Sequence, residues 1–278
     1  MVLELPSTRG TANRSAHVFG PALGGYVPNM TAHPFGIDIG GSGIKGAFVD
    51  LAAGAFVGDR LRIETPKTST PAKVAAVVQQ LVNEAGVDPA AAVGLTMPGV
   101  VTHGVMRSAA NIDKSWIGVD ARTLFGGALE RPVEVMNDAD AAGLAEVRYG
   151  AAKDVSGLVI VTTLGTGIGS ALVYDGVLVP NSELGHLEID GHNAETRAAS
   201  SAREREDLTW AQWAKRLTVY YRIIEMLFSP DLVVIGGGVS KNAEKFLPLI
   251  DVDMPLVVAT LKNTAGIVGA ALLADEHR

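Results

Sequence analysis

Asp38-Ile39-Gly40-Gly41-Ser42-Gly43-Ile44-Lys45-Gly46 joins two apolar runs, Phe35 to Ile39 and Ile44 to Asp50, and its reading decides the fold. A glycine-rich turn between two strands is a hairpin; it is not a P-loop, in which a helix would follow. Its glycines let backbone N–H groups approach an anion closely, and Ser42 and Lys45 add side-chain donors. Asp38, at the strand end, is placed to hold a magnesium ion through water. An ordinary hairpin carrying a surface lysine would share all of these features.

Working outward, Gly54 turns into a third strand near Phe56 to Ile63. Thr70 and Pro71 then offer an N-cap and a first-turn proline. Val74, Val77, Val78, Leu81 and Val82 follow at helical spacing up to Gly86. Ala92 to Thr96 reads as a strand ending at Met97-Pro98-Gly99. The pattern then restarts. Val133 to Met136 is a strand with Asn137-Asp138 at its end and a helix over 139–148. Leu158 to Thr163 runs into Gly165-Thr166-Gly167-Ile168-Gly169, and strands resume from Ser170 to Tyr174 and Val177 to Val179 across Asp175-Gly176. A helix over 209–228, a strand Leu232 to Ile235, the turn Gly236-Gly237-Gly238, a strand Leu256 to Ala259 and a helix over 263–274 complete the chain.

Two units that each open with a strand, a glycine-rich hairpin and another strand predict an α/β protein of two lobes facing a cleft. The expected division is a flexible tail over 1–33, a small lobe over 34–136 plus 263–278, and a large lobe over 137–262. Closure is expected about the junctions near 136 and 263.

Composition narrows the function. The 278 residues are 47% hydrophobic, enough for a substantial core, and carry a net charge of −7. An acidic chain is not a general nucleic-acid binder, although a local basic groove remains compatible with a polyanionic substrate. With no cysteine, disulfides, thiolate zinc sites and cysteine nucleophiles are excluded. No apolar run approaches the roughly 20 residues that span a bilayer, and no basic-then-apolar leader opens the sequence. A soluble, cytoplasmic protein is expected.

Three glycine turns at strand ends suggest a cleft that handles phosphate. The donor-side candidates are Asp38, Gly40, Gly41, Ser42, Gly43 and Lys45 in the first, Thr163, Gly165, Thr166 and Gly167 in the second, and Gly236, Gly237 and Gly238 in the third. The third is expected to lead into a helix whose N-terminus favours phosphate. None reads as a dinucleotide fingerprint. Asp138 is either the cap of the following helix or a base that takes a proton from a sugar hydroxyl held by Asn137. Glu183 and His186 suit hydroxyl binding. Glu195 and Asn111 read equally as structural. His192 and Glu188 lie near His186, but the spacing matches no standard zinc pattern. Trp210 and Trp213 read as helix packing. Lys45, Arg107, Lys114, Lys241 and Lys245 are placed for a basic track, or are ordinary surface charges.

Over about residues 35–275 the sequence resembles the ROK family of bacterial sugar kinases, within the actin-like ATPase and sugar kinase (ribonuclease H-like) fold. Asp38 to Gly46, Asn137-Asp138, Thr163 to Gly169, Glu183 to His186 and Ile235 to Ser240 carry the resemblance, in family order and spacing. Three segments, Ala109 to Trp116, Asn137 to Glu146 and Pro180 to Glu188, look like members that use polyphosphate. The resemblance implies glucose contacts by Asn111, Asn137, Asp138, Glu183, His186 and Glu195, with Asp138 as catalytic base. It implies magnesium, polyphosphate as phosphoryl donor with ATP also accepted, glucose 6-phosphate as product, and a homodimer. Many members hold zinc through a histidine and a cysteine cluster after Glu-x-Gly-His. Here the cysteines are missing, so no zinc is expected and His186 falls to the sugar. An ATP-only kinase for another hexose is the alternative. A sugar-responsive regulator would need a winged helix-turn-helix, for which the 33 irregular leading residues are too short.

Overall fold

The computed structural model describes residues 33–277; the expected tail over 1–33 lies, apart from His33, outside the described residues. The chain begins with the meander β1 (Phe35–Ile39), β2 (Ile44–Asp50) and β3 (Ala55–Ile63), followed by α1 (Pro71–Ala85). Pro71 starts α1 and Gly86 ends it in the left-handed conformation, while Thr70 makes no side-chain capping bond. Then come β4 (Val93–Met97), the short pair β5 (Val101–Thr102) and β6 (Val105–Met106), α2 (Ala121–Leu129), β7 (Glu134–Asn137) and α3 (Asp138–Tyr149).

The second half runs β8 (Leu158–Leu164), β9 (Ile168–Tyr174), β10 (Val177–Val179), the short pair β11 (Glu188–Ile189) and β12 (His192–Asn193), α4 (Ala194–Ala198), α5 (Ser200–Arg205) and α6 (Trp210–Phe228). It closes with β13 (Leu232–Gly236), β14 (Leu256–Val258) and α7 (Ala265–Glu276). Asp175 and Gly176 both have positive φ, 47° and 82°, the geometry a two-residue hairpin needs. Thr209 and Gln212 form a full capping box at the start of α6.

Two five-stranded sheets repeat one plan: β3-β2-β1-β4-β7 and β10-β9-β8-β13-β14. In each, an antiparallel meander is extended by two parallel strands. The duplicated hairpin pattern of the sequence is therefore a duplicated sheet. One face of the first sheet packs on Val74 and Leu81 of α1, Phe125 of α2 and Trp116 just before α2, and one face of the second packs on α6 through Trp213, Tyr220 and Ile224.

The opposite faces meet α3 and α7. α7 is apolar around most of its circumference, with Ala265, Ile267, Val268, Ala270 and Ala271 all buried, as a helix covered on several sides must be. It packs on β1 and β4 and against α3. A Cβ on Gly269 would sit 2.0 Å from the carbonyl oxygen of Ala141, so the two helices touch backbone to backbone. At the far end of α3, the buried Glu146 accepts from the N–H groups of Ala151 (2.8 Å), Leu261 (2.8 Å) and Thr260 (3.1 Å) and from the Thr260 hydroxyl (3.3 Å). This carboxylate ties α3 to the link between β14 and α7. Among the described residues, no helix is long and apolar enough to cross a membrane.

Candidate active site

The β1–β2 register sets Lys45 opposite Asp38, and parallel pairing sets Thr96 on its other side. Asp38 consequently accepts from Lys45 Nζ on Oδ2 (3.0 Å) and from Thr96 Oγ1 on Oδ1 (3.0 Å). The turn itself is closed by Gly40 N to Gly43 O (3.1 Å) and braced by Thr65 Oγ1 on Gly40 O (2.5 Å) and Arg62 on Ser42 O (2.9 Å). Ser42 remains exposed. Asn111, in the left-handed region at φ 59°, lies directly over this turn: a Cβ on Gly41 would come within 2.8 Å of its carbonyl oxygen.

The second turn has the same relation to another residue expected at the sugar. Glu195 opens α4 and accepts from Ile168 N at 3.1 Å, and a Cβ on Gly167 would stand 2.3 Å from its Oε2. Each glycine is required for this close approach. Ser201 of α5 pins the turn by donating to Thr166 O (2.6 Å) and, through its N–H, to Gly165 O (3.1 Å). The third turn packs on the second, with Gly237 at φ 84° beside the Leu164 backbone. Its continuation differs from the expectation. Gly238–Lys245 is a 3-10 segment broken at Asn242, so no regular α-helix N-terminus faces the cleft there. Four of its eight residues, Gly238, Val239, Ser240 and Asn242, are poor helix formers.

At the end of β7 the capping role falls on Asn137. Its Oδ1 accepts from Ala139 N (2.8 Å) and Asp140 N (3.0 Å), and its Nδ2 donates to Gly99 O (3.0 Å). Asp138 is thereby the first helical residue and its side chain looks onto the cleft, its Oδ1 also accepting from Ala139 N (2.9 Å). The residue is exposed, with protein packed densely around the carboxyl. That enclosure, followed by the charges of Asp38 and Glu183, pushes its carboxyl up to about 7; closure over a ligand would deepen the shift.

Opposite it, His186 bridges two carboxylates, Nε2 at 3.6 Å from Glu183 and Nδ1 at 3.8 Å from Glu195. Desolvation, followed by the Glu195 charge, raises the Glu183 carboxyl against the lowering effect of His186. Glu183, His186 and Glu195 thus form one cluster, Asp138 feels the charge of Glu183, and Asn111 stands apart on the first turn. Among the described residues no group of three or more His, Asp or Glu side chains could hold a metal ion. The hairpin β11–β12 and α4 order the loop over 188–200.

Two supporting residues were not singled out in the sequence, although both lie in the segments quoted for the resemblance. Asp140, almost fully buried, accepts from Asn181 N (2.8 Å), and burial pushes its carboxyl up to about 7. Asn181 in turn clasps the Val101 backbone at both ends of its amide, accepting from N–H and donating to C=O at 2.8 Å each. Ser170 Oγ holds Ser182 O (2.8 Å) and accepts from Leu184 N (2.9 Å). Glu183 therefore stands between two anchored residues.

A family model described as "ROK family" matches residues 34–199. The polyphosphate glucokinase of Mycobacterium tuberculosis (strain CDC 1551 / Oshkosh) is 54% identical over 241 residues, 86% of this chain and 90% of that protein. The crystal structure of an inorganic polyphosphate/ATP-glucomannokinase from Arthrobacter sp. strain KM is 53% identical, with a TM-score of 0.84 over 88% of this chain and 99% of that one. A ROK hexokinase from Thermus thermophilus superposes with a TM-score of 0.71 at 28% identity, over 88% and 98% of the two chains.

Proposed function

Because the chain belongs to the ROK family and has the fold of its sugar kinases, we propose that it transfers the terminal phosphoryl group of inorganic polyphosphate, or of ATP, to the 6-hydroxyl of glucose. The products are glucose 6-phosphate and a polyphosphate one unit shorter, or ADP. One observation carries this reading: each of two glycine turns abuts a sugar-side residue, Gly41 at Asn111 and Gly167 at Glu195, with Asp138 charge-coupled to both Asp38 and Glu183. Donor and acceptor thus meet at one carboxylate. The decisive experiment supplies polyphosphate and ATP separately, each with magnesium and glucose; absence of glucose 6-phosphate from both would refute the reading.

In this mechanism Asn111, Asn137, Glu183, His186 and Glu195 hold the sugar. Asn137 retains one amide hydrogen after its bond to Gly99 O, and Glu183 and Glu195 supply acceptors. Asp138 takes the hydroxyl proton as the oxygen bonds to phosphorus; a loose transition state needs only a base of this strength. The turns at Gly40 to Gly43, Gly165 to Gly167 and Gly236 to Gly238, with Ser42, Lys45 and Thr163, receive the donor. Asp38, whose two oxygens already accept from Lys45 and Thr96, would hold a magnesium ion through water and not directly. Its charge also opposes that of Asp138, a repulsion a cation relieves. Bound magnesium would neutralise charge on the transferring group.

The reading includes lobes over 34–136 plus 263–278 and over 137–262, closing on glucose to exclude water. It includes a cytoplasmic homodimer. Exposed Tyr174, Val177 and Val179 on the β9–β10 hairpin and Val219, Met226 and Leu227 on α6 supply apolar surface for a second copy to cover.

Two predictions follow from the geometry. The base must be ionised, so kcat/KM for glucose rises with pH along an acid limb and levels off above about 7; kcat/KM reports groups of the free enzyme. A half-point near 4, the ordinary carboxylate range, would mean that Asp138 titrates without the upward shift. Asn181→Ala removes both amide bonds to Val101 and leaves the Glu183 loop anchored on one side less. KM for glucose is expected to rise about tenfold, the effect of 1.4 kcal/mol, with kcat at saturating glucose changed far less. Unchanged KM would mean that the clasp does not position Glu183.

A further inference from the structure

The structure sorts the five basic side chains that the sequence places near the donor turns. Lys45 stands at the first turn bonded to Asp38 and Lys114 donates to Ala109 O, while Arg107 is exposed on the loop after β6. Lys241 and Lys245 both stand on the 3-10 segment that continues the third turn. Lys241 lines a cavity of about 320 Å³ together with Gly165, Gly238, Arg203 and Trp210. Resting on the reading of these turns as the donor site, we propose that this cavity takes the distal phosphates of an inorganic polyphosphate chain, and that Arg203, Lys241 and Lys245 set the preference for polyphosphate over ATP.

Charge and aromatic geometry both point this way. Arg203 and Lys241 face a single carboxylate, Glu204, among the lining residues. Lys245 lies just beyond, its Nζ 5.7 Å from the Trp210 ring and 3.2 Å from Asn242 Oδ1. Arg203 spends one N–H on Leu208 O (3.1 Å), and its Nε–H has no partner among the described residues. Trp210 is the one aromatic residue in the lining, and its ring is already in contact with other side chains. The Arg203 guanidinium sits 3.9 Å above the ring and Phe246 stacks on it at 6.0 Å, 17° from parallel. A nucleobase gains much of its binding from an open aromatic face, and a guanidinium already sits on this ring. Phosphates gain from cations and from the release of their counterions.

The test compares kcat/KM for long-chain polyphosphate, tripolyphosphate and ATP, at saturating glucose and several ionic strengths. It uses the parent, Lys241→Ala/Lys245→Ala and Glu204→Lys. Both lysines and Glu204 are exposed, so these variants should fold. The double variant is expected to lower the long-chain-to-ATP ratio of kcat/KM about tenfold and to flatten the salt dependence by roughly one unit of slope per lysine. Tripolyphosphate, which has fewer distal phosphates, should lose less than the long chain. Glu204→Lys should raise the ratio and steepen the slope. An unchanged ratio, or equal losses with ATP and the long chain, would overturn the proposal. A parent enzyme that uses ATP but not polyphosphate would overturn it while leaving the glucose-kinase reading intact; a parent that uses neither donor would refute both.

Discussion

Asp138→Ala is expected to lower kcat by about 10²–10⁴-fold, the span general-base catalysis usually contributes, with little change in fold. The capping bonds of α3 belong to Asn137, at 2.8 and 3.0 Å, so truncating Asp138 leaves the helix start intact. It also removes a carboxylate held against its own desolvation and the charge of Asp38. Thermal stability should therefore hold or rise while turnover collapses. That split is the diagnostic, since a merely structural aspartate would lose both together. Glucose phosphorylation at the parental rate by the purified variant would remove Asp138 from the base role.

The second large effect is on stability. Glu146→Ala deletes an acceptor for three backbone N–H groups and one hydroxyl where α3, the following turn and the approach to α7 meet. Each net bond is worth about 1 kcal/mol, and buried donors left unmet cost more. A loss of roughly 3–5 kcal/mol is expected, lowering Tm by on the order of 10 °C for a chain of this size. Differential scanning calorimetry checks it. A Tm within a degree or two of the parent would mean that water replaces the carboxylate at this junction.

Much of this architecture was readable because the hairpins announce themselves locally. Apolar runs broken by Gly40 to Gly43 and by Gly165 to Gly169 marked two meanders, and their repetition matched two sheets of one strand order. Asp138 could not be separated from a helix cap, because Asn and Asp cap equally well; only the backbone shows Asn137 taking both N–H groups. α2 went unread because Gly126-Gly127 interrupts it, although Asp120 caps it through Thr123 N at 2.9 Å. α4 and α5 are short and meet at Ala199 without a side-chain cap. The contacts that assemble the site, Gly41 with Asn111 and Asn181 with Val101, span 70 and 80 residues. No local pattern records them. Glu146 was equally silent, looking in sequence like any charged residue on an amphipathic helix.

The seat of α7 has a consequence for how the chain comes to be folded. The helix that covers β1 and β4 is made late, more than 220 residues after β1 and more than 160 after β4. During synthesis the second sheet, between 158 and 258, has all its strands in hand while the first still shows a bare apolar face. The sheet made first is thus finished last, by contacts of the longest sequence separation, which are the slowest to form. A chain that lacks α7 would have its second half built and its first half unable to close.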